Sequence, residues 1–540
     1  MESLRLQNVR SFVDTGPVPI KPLTLLVGSN SSGKSTFLRS LPLLRQSVET
    51  ATDSPILWFG EYVDFGTIEH AARLHSADKT VTFEFDFLLS PTHLHVPNHL
   101  VSGETLDTCK VTLSATLEKR AQGGTRIARY KVSLLGQQAD ICFSESGRMT
   151  SFRVQKHDFT DIASRFALSG VAYVLPSFVE DSEDREVVYQ PFAAGLDQNR
   201  RFLLRGSRQT GLLTERIFVF LRSFMFHGNT SDETVRSVAQ HLRLGSRAAM
   251  IQAMLALNNI ESWQDNVRQL AQLDTRFNRL LGLIIAYQLP SILEQCDYQL
   301  AQTAAHISYM GPFRAVAQRY YRSQDLAVNE VDYTGKNLAM FLRSLSATDR
   351  RSFTEFCERY FGFDVLTKPE GGHVTITIKE KGSADYLNLV DLGFGYSQIL
   401  PVIAQIWNIS VRRKRRNQGI RRLFALEQPE LHLHPAYQAK LGDLLAGATK
   451  SAAENGVPLR VVVETHSESL VNRLGVLIRE GQLDPNVVQI VLFEYDSAEQ
   501  RSKVSFARYD ESGDLVNWPF GFFSPDVEAH SSMPLSTAKT

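Results

Sequence analysis

Cysteine is scarce in this chain, charge of either sign is in balance, and long apolar runs are missing. Four cysteines among 540 residues, Cys109, Cys142, Cys296 and Cys357, are widely scattered, and none belongs to a CxxC pair. Such spacing suggests neither a zinc site nor a disulfide framework. Lys plus Arg number 58 and Asp plus Glu number 58, so the formal net charge is zero. Any nucleic-acid contact must then come from a local patch. No uncharged apolar run reaches about 18 residues, so no membrane span is expected. The opening MESLRLQNVRSF lacks a signal-peptide pattern, and the expectation is a cytosolic protein. No internal repeat and no His-Asn-His nuclease spacing is present. What is there is ordinary globular composition, 43% apolar and 21% charged, over a length that allows two or more domains.

Periodicity divides the chain. Leu4 to Phe12 alternates like a strand, and Leu23 to Val27 is a second strand that runs into GSNSSGKST. A helix is predicted from Phe37 to about Val48. Val81, Phe83, Phe85 and Phe87 alternate with polar residues, and similar segments recur at Val111–Leu117 and Ile127–Leu134, with Gly123-Gly124 as a turn. These read as an antiparallel β lobe. Farther on, Val267, Leu270, Phe277, Leu280, Leu281, Ile284 and Ile285 recur at helical spacing, and Pro290 is expected to kink or restart that helix. HISYMGPFR reads as a strand ending in a turn at Gly311-Pro312, after which α/β alternation resumes. The expected division is 1–186 for an N-terminal part with the β lobe, 187–305 for a helical insertion, 306–525 for a C-terminal α/β part, and 526–540 for a loose tail.

Four segments carry chemistry. Gly28, four residues, then Gly33-Lys34-Ser35 is a P-loop between a strand and a helix. Glycines let backbone N–H groups close around phosphate oxygens, and the helix N-terminus adds its positive dipole end. Gly28, Asn30, Ser32, Gly33, Lys34, Ser35 and Thr36 are the candidate ATP-binding residues. Lys34 is expected to reach the β- and γ-phosphates and Ser35 to ligate Mg²⁺. In LFALEQPELHLHP a buried parallel strand ends at Glu427, expected beside the P-loop and able to hold Mg²⁺ or its water shell. VVVETHSESL is a second buried strand, after which His466 could touch the γ-phosphate or the attacking water. DLGFGYSQILPVIAQI is a Gly-rich turn opening an apolar helix, so free N–H groups face outward.

The order of these segments resembles ABC/SMC-type P-loop ATPase heads, with a signature turn between P-loop and Walker B strand and a switch histidine after it. LQNVRSF, EQPELHLHP, ETHSES and NWPFGFF are similar to the AAA-type ATPases related to the overcoming-lysogenization-defect proteins, and among these to the PtuA-like ATPases of Septu and retron-associated antiphage systems. The resemblance covers roughly 1–70 and 306–525. It implies an α/β head that binds ATP and Mg²⁺, with Lys34, Ser35 and Thr36 on phosphate and metal and Glu427 as Walker B acid. Gly393, Gly395 and Ser397 would contact ATP held by a second subunit, and His466 would be the switch histidine. It further implies a dimer or larger assembly, a separate PtuB-like HNH nuclease partner, and in retron-associated forms a reverse transcriptase with its msDNA. The Toprim nuclease domain of the lysogenization-defect relatives is not expected after His466, and a nuclease, where one is served, is expected to be another protein.

One departure bears on rate. ABC heads place a catalytic Glu directly after the Walker B acid, and here that residue is Gln428. Glutamine can orient water but cannot take its proton, and Glu430 is the nearest alternative base. Slow hydrolysis is therefore expected. The leading function is an ATP-hydrolysing sensor and scaffold in antiphage defence. A RecF/SMC-type DNA-repair ATPase and a nonenzymatic ATP-dependent scaffold are the rivals. The Q-loop equivalent is expected within Phe59–His70, with Asp64 as candidate. Arg412, Arg413, Lys414, Arg415, Arg416, Arg421 and Arg422 read either as a solvated loop or as a phosphate-binding patch for nucleic acid, without the aromatic interleaving of single-strand binders. Arg314 and Arg319 serve either the ATP site or its dimer partner, or else ion pairs within the head.

Overall fold

A computed structural model describes residues 1–89, 108–169, 172–180, 211–226, 230–325, 328–412 and 421–519. The chain forms two compact units, each from two segments: Met1–Pro19 with Leu43–Ala305, and Ile20–Pro42 with His306 onward. The start of the expected insertion (187–210) and the expected tail lie outside the described residues.

The first unit holds an antiparallel sheet. Its strands run in the order His157–Asp158, Met149–Val154, Gln137–Phe143, Thr125–Leu134, Cys109–Lys119, Val81–Leu89, Ser3–Val9 and Phe12–Asp14. The strand expected from Leu4 to Phe12 breaks after Val9, because Asn8 and Arg10 take positive φ and the chain reverses. Gly123 and Gly124, at φ +94° and +80°, make the turn the sequence predicts. The same unit contains helices Gly211–Phe224, Asp232–His241, Arg247–Leu257, Glu261–Leu270 and Asp274–Ala304. The last of these continues through Pro290 instead of restarting there. From it Asp297, fully buried, accepts the backbone N–H groups of Tyr173, Val174 and Leu175 at 2.8, 2.8 and 2.7 Å. Burial outweighs those donors and pushes the Asp297 carboxyl up to about 6.

The second unit is an α/β layer structure. Parallel strands Ile307–Met310, Arg422–Glu427, Leu459–Glu464, Leu23–Gly28 and Val488–Asp496 lie in that order, and Arg501–Tyr509 pairs antiparallel with the last of them. The strands are apolar at successive positions because both faces are covered. Leu25, Val27, Phe424, Leu426, Val461, Val463, Ile490 and Leu492 face a core shared with Ile399, Ile403 and Trp407 of helix Phe394–Ser410. The alternate positions Leu26, Ala425, Val462 and Val491 are equally buried. A smaller sheet, built on the hairpin Phe363–Glu370 and His373–Glu380, packs in this unit too. No described helix is long and apolar enough to cross a membrane.

Candidate nucleotide-binding site

The site is built at the C-terminal ends of the parallel strands of the second unit. Strand Leu23–Gly28 ends in the P-loop, and the following helix, Lys34–Glu49, starts at the motif's lysine. Gly28 is required by space: a Cβ there would collide with the Phe493 carbonyl oxygen and come 2.8 Å from Ser32 Oγ. Ser31 (φ +61°) and Gly33 (φ +101°) supply the left-handed backbone that curls the loop. Ser29, Asn30 and Ser31 are exposed, whereas Ser32, Lys34 and Thr36 are buried. Lys34 Nζ donates to the carbonyls of Gly28 (3.0 Å) and Ser29 (2.6 Å). Burial lowers its pKa, against the opposing pull of Glu464 and Glu430.

Glu427 is not on the strand adjoining the P-loop strand. Strand Leu459–Glu464 lies between the two, in parallel register with both, and pairs Glu464 with Glu427 on one side and with Leu26 on the other. The two glutamates are therefore neighbours, one strand apart. Each meets a different residue of the P-loop helix. Ser35 Oγ donates to Glu464 Oε1 at 2.8 Å, and Arg39, one helical turn on, donates to both oxygens of Glu427 at 2.8 Å. Positions four apart on a helix rise about 6 Å and neighbouring strands lie about 4.8 Å apart, so the two pairs match rung for rung. Tyr309 OH adds a third bond to Glu427, at 2.9 Å, and Arg314 Nη2 donates to its backbone oxygen at 3.0 Å.

Glu464 is 2% exposed, and its Oε2 has no partner among the described residues. Burial and the neighbouring Glu427 push its carboxyl up to about 7. Glu464 lies within VVVETHSESL but is not among the residues that the motif itself singles out. The available signal was that two apolar runs, LFAL and VVV, are both followed directly by glutamate, a charge that is rare at the end of a buried strand.

Beyond Glu427 the backbone is strained, with Gln428 at φ +39° and His432 at φ +62°. Gln428 is half-buried. Glu430 is buried, and its Oε1 accepts the His466 N–H at 2.7 Å. Desolvation raises the Glu430 pKa, and lowers that of His466 with help from the nearby Lys34 charge. Arg314 is 5% exposed, its Nε and Nη1 lack partners among the described residues, and burial lowers its pKa to about 10. Lys34, Ser35, Glu464, Glu430, His466, Arg314 and Glu427 thus form one electrostatic cluster.

The signature-like turn contacts the other end of the Glu427 loop. Gly393 takes φ +91° and caps helix Phe394–Ser410, and Phe394 packs edge-on against His432. Gly393 and Phe394 are exposed. Ser397 lies behind them, buried, with its hydroxyl donating to the Phe394 carbonyl at 2.6 Å. Arg319 pairs with Asp391 before the turn. In the first unit, Asp64 Oδ1 accepts the Gly66 N–H, and the Gln46 side chain pins the same loop through the backbone of Leu57, Tyr62 and Val63. Of the basic run, 413–416 lie outside the described residues, Arg412 pairs with Asp349, and Arg422 is a buried strand residue. No group of three or more His, Cys, Asp or Glu that could hold a metal occurs among the described residues.

The Smc head domain with an extended coiled coil from Pyrococcus furiosus, bound to the C-terminal domain of ScpA, is 14% identical with a TM-score of 0.34, covering 94% of this chain and 95% of that one. The SMC head domain from Thermotoga maritima is 11% identical with a TM-score of 0.31, covering 94% and 98%. No curated protein sequence matches significantly. Residues 289–471 match the family described as AAA ATPase domain. The strands that end at Glu427 and Glu464 both lie within that matched stretch.

Proposed function

We propose that the chain binds ATP with Mg²⁺ at Gly28–Thr36 and hydrolyses it slowly, working as an ATP-controlled scaffold that self-associates. The observation that carries this reading is the P-loop in its strand–helix setting, with Lys34 buried in it and Ser35 facing a carboxylate. The donor set suits Mg²⁺. That ion keeps most of its waters and takes one or two carboxylates plus substrate phosphates, not a protein cage, and the Oε2 of Glu464 is a buried acceptor with no protein partner among the described residues. When bound, Mg²⁺ would neutralise charge on the phosphates. The loop N–H groups and Lys34 would hold those phosphates, and His466, beside Lys34, would meet the terminal one. Gln428 would orient water without accepting its proton. The exposed Gly393–Phe394 turn supports contact with ATP held by a second copy.

The resemblance of EQPELHLHP and ETHSES extends this reading to an antiphage sensor that controls a separate HNH nuclease, with a reverse transcriptase and msDNA in retron-associated forms. A RecF/SMC-type repair role uses the same site, and gene neighbourhood separates the two. Phosphate release separates both from a nonenzymatic scaffold. The central test is ATP binding and turnover by wild type and Lys34→Ala. Loss of both in the variant is expected, and an unimpaired variant rejects the assignment.

A further inference from the structure

We infer that Glu464, not Glu427, is the carboxylate that serves the metal position at Ser35, and that Glu427 is a structural clamp. The inference rests on the P-loop being a metal–nucleotide site and adds which acid completes it. Both oxygens of Glu427 are already engaged: Oε1 by Arg39 Nε and Tyr309 OH, Oε2 by Arg39 Nη2. A cation approaching Glu427 would have to displace the bidentate guanidinium, which is a strong charge-assisted pair. Glu464 differs on each count. One oxygen accepts the hydroxyl of Ser35, the residue that the P-loop pattern places on the metal, and the other has no partner among the described residues although the side chain is 2% exposed. An ionised carboxylate with an unfilled buried oxygen is costly, and a bound cation removes that cost. Strand order reinforces the assignment, because Glu464 stands on the strand next to the P-loop strand and Glu427 one strand farther away.

The test uses the full chain and measures binding of a fluorescent ATP analogue with and without Mg²⁺, and the spin-resonance signal of Mn²⁺ with ATP. In Glu464→Gln the amide oxygen still accepts from Ser35, so only the charge is lost. In that variant the ratio of affinity with Mg²⁺ to affinity without it is expected to fall about ten-fold or more, and the protein's effect on the Mn²⁺ signal is expected to be lost. Glu427→Gln is expected to keep the metal-dependent tightening and to lose thermal stability. Ser35→Ala provides a second variant should Glu464→Gln fail to fold. It should lose the same tightening, and adding Glu427→Gln to it should lower thermal stability without lowering the metal dependence further. Full metal dependence in Glu464→Gln, or its loss in a folded Glu427→Gln, overturns the inference. If wild type binds ATP without any metal effect, this inference alone falls. If wild type binds no ATP, the nucleotide-site reading falls with it.

Discussion

Glu427 and Gly28 show how single side chains set this site's tolerance. Glu427 is buried and engaged by Arg39, Tyr309 and the backbone contact from Arg314. Removing one partner of a buried pair costs about 3–5 kcal/mol. Arg39 is 36% exposed and can rehydrate, so Glu427→Ala should cost about 2 kcal/mol, read as a lowered midpoint in urea unfolding. Gly28→Ala should leave the fold intact but push the loop off the Phe493 carbonyl, weakening ATP binding more than stability. Equal nucleotide affinity in that variant would show the loop to be looser than its contacts indicate. Gln428 bears on rate. Gln428→Glu should speed phosphate release, whereas Glu430→Gln, which keeps its oxygen on the His466 N–H, should slow it only if Glu430 is the base. A rapid wild-type rate that neither substitution alters would remove this loop from catalysis.

Among the elements, helix Asp274–Ala304 is fastened by Asp297 to the segment 173–175. The Asp297 pKa in the folded chain, about 6, lies above its ordinary 3.8. The folded chain therefore holds the extra proton between those values. Its stabilising contribution is full below the ordinary value and fades as pH rises through about 6, a difference on the order of 3 kcal/mol. Unfolding midpoints measured from pH 4 to 7 should fall across that window. In Asp297→Asn the slope should vanish. The variant should also be less stable at low pH, because an amide nitrogen cannot accept the N–H that the second carboxylate oxygen accepts.

For the whole molecule, the expectation is association. One chain carries a single P-loop and a single signature-like turn, and Gly393 and Phe394 of that turn are exposed. Sedimentation should give a dimer or larger species with ATP and Mg²⁺, and Lys34→Ala should weaken it. An active protein that stays monomeric under every nucleotide condition would refute this. The helical segment is the expected binding region for a partner. Deleting 190–300 would remove Asp297 and its clasp, so crosslinking is the better measurement, and crosslinks confined to the second unit would contradict the expectation.

Local pattern alone determined the P-loop, the apolar strands, the β lobe and the helical texture, because each is written in neighbouring residues. Lys34 and Ser35 are legible from spacing, and Gln428 from its place after Glu427. The partnering of Glu464 with Ser35 and of Glu427 with Arg39 was not legible. It depends on strand order, and nothing local in LFALE or VVVE tells which strand lies beside Leu23–Gly28. The buried hydroxyl of Ser397 and the continuous helix through Pro290 were also decided by packing. Which acid faces the loop and which holds an arginine is a property of tertiary register: the two side chains are the same, and only the strand each stands on differs.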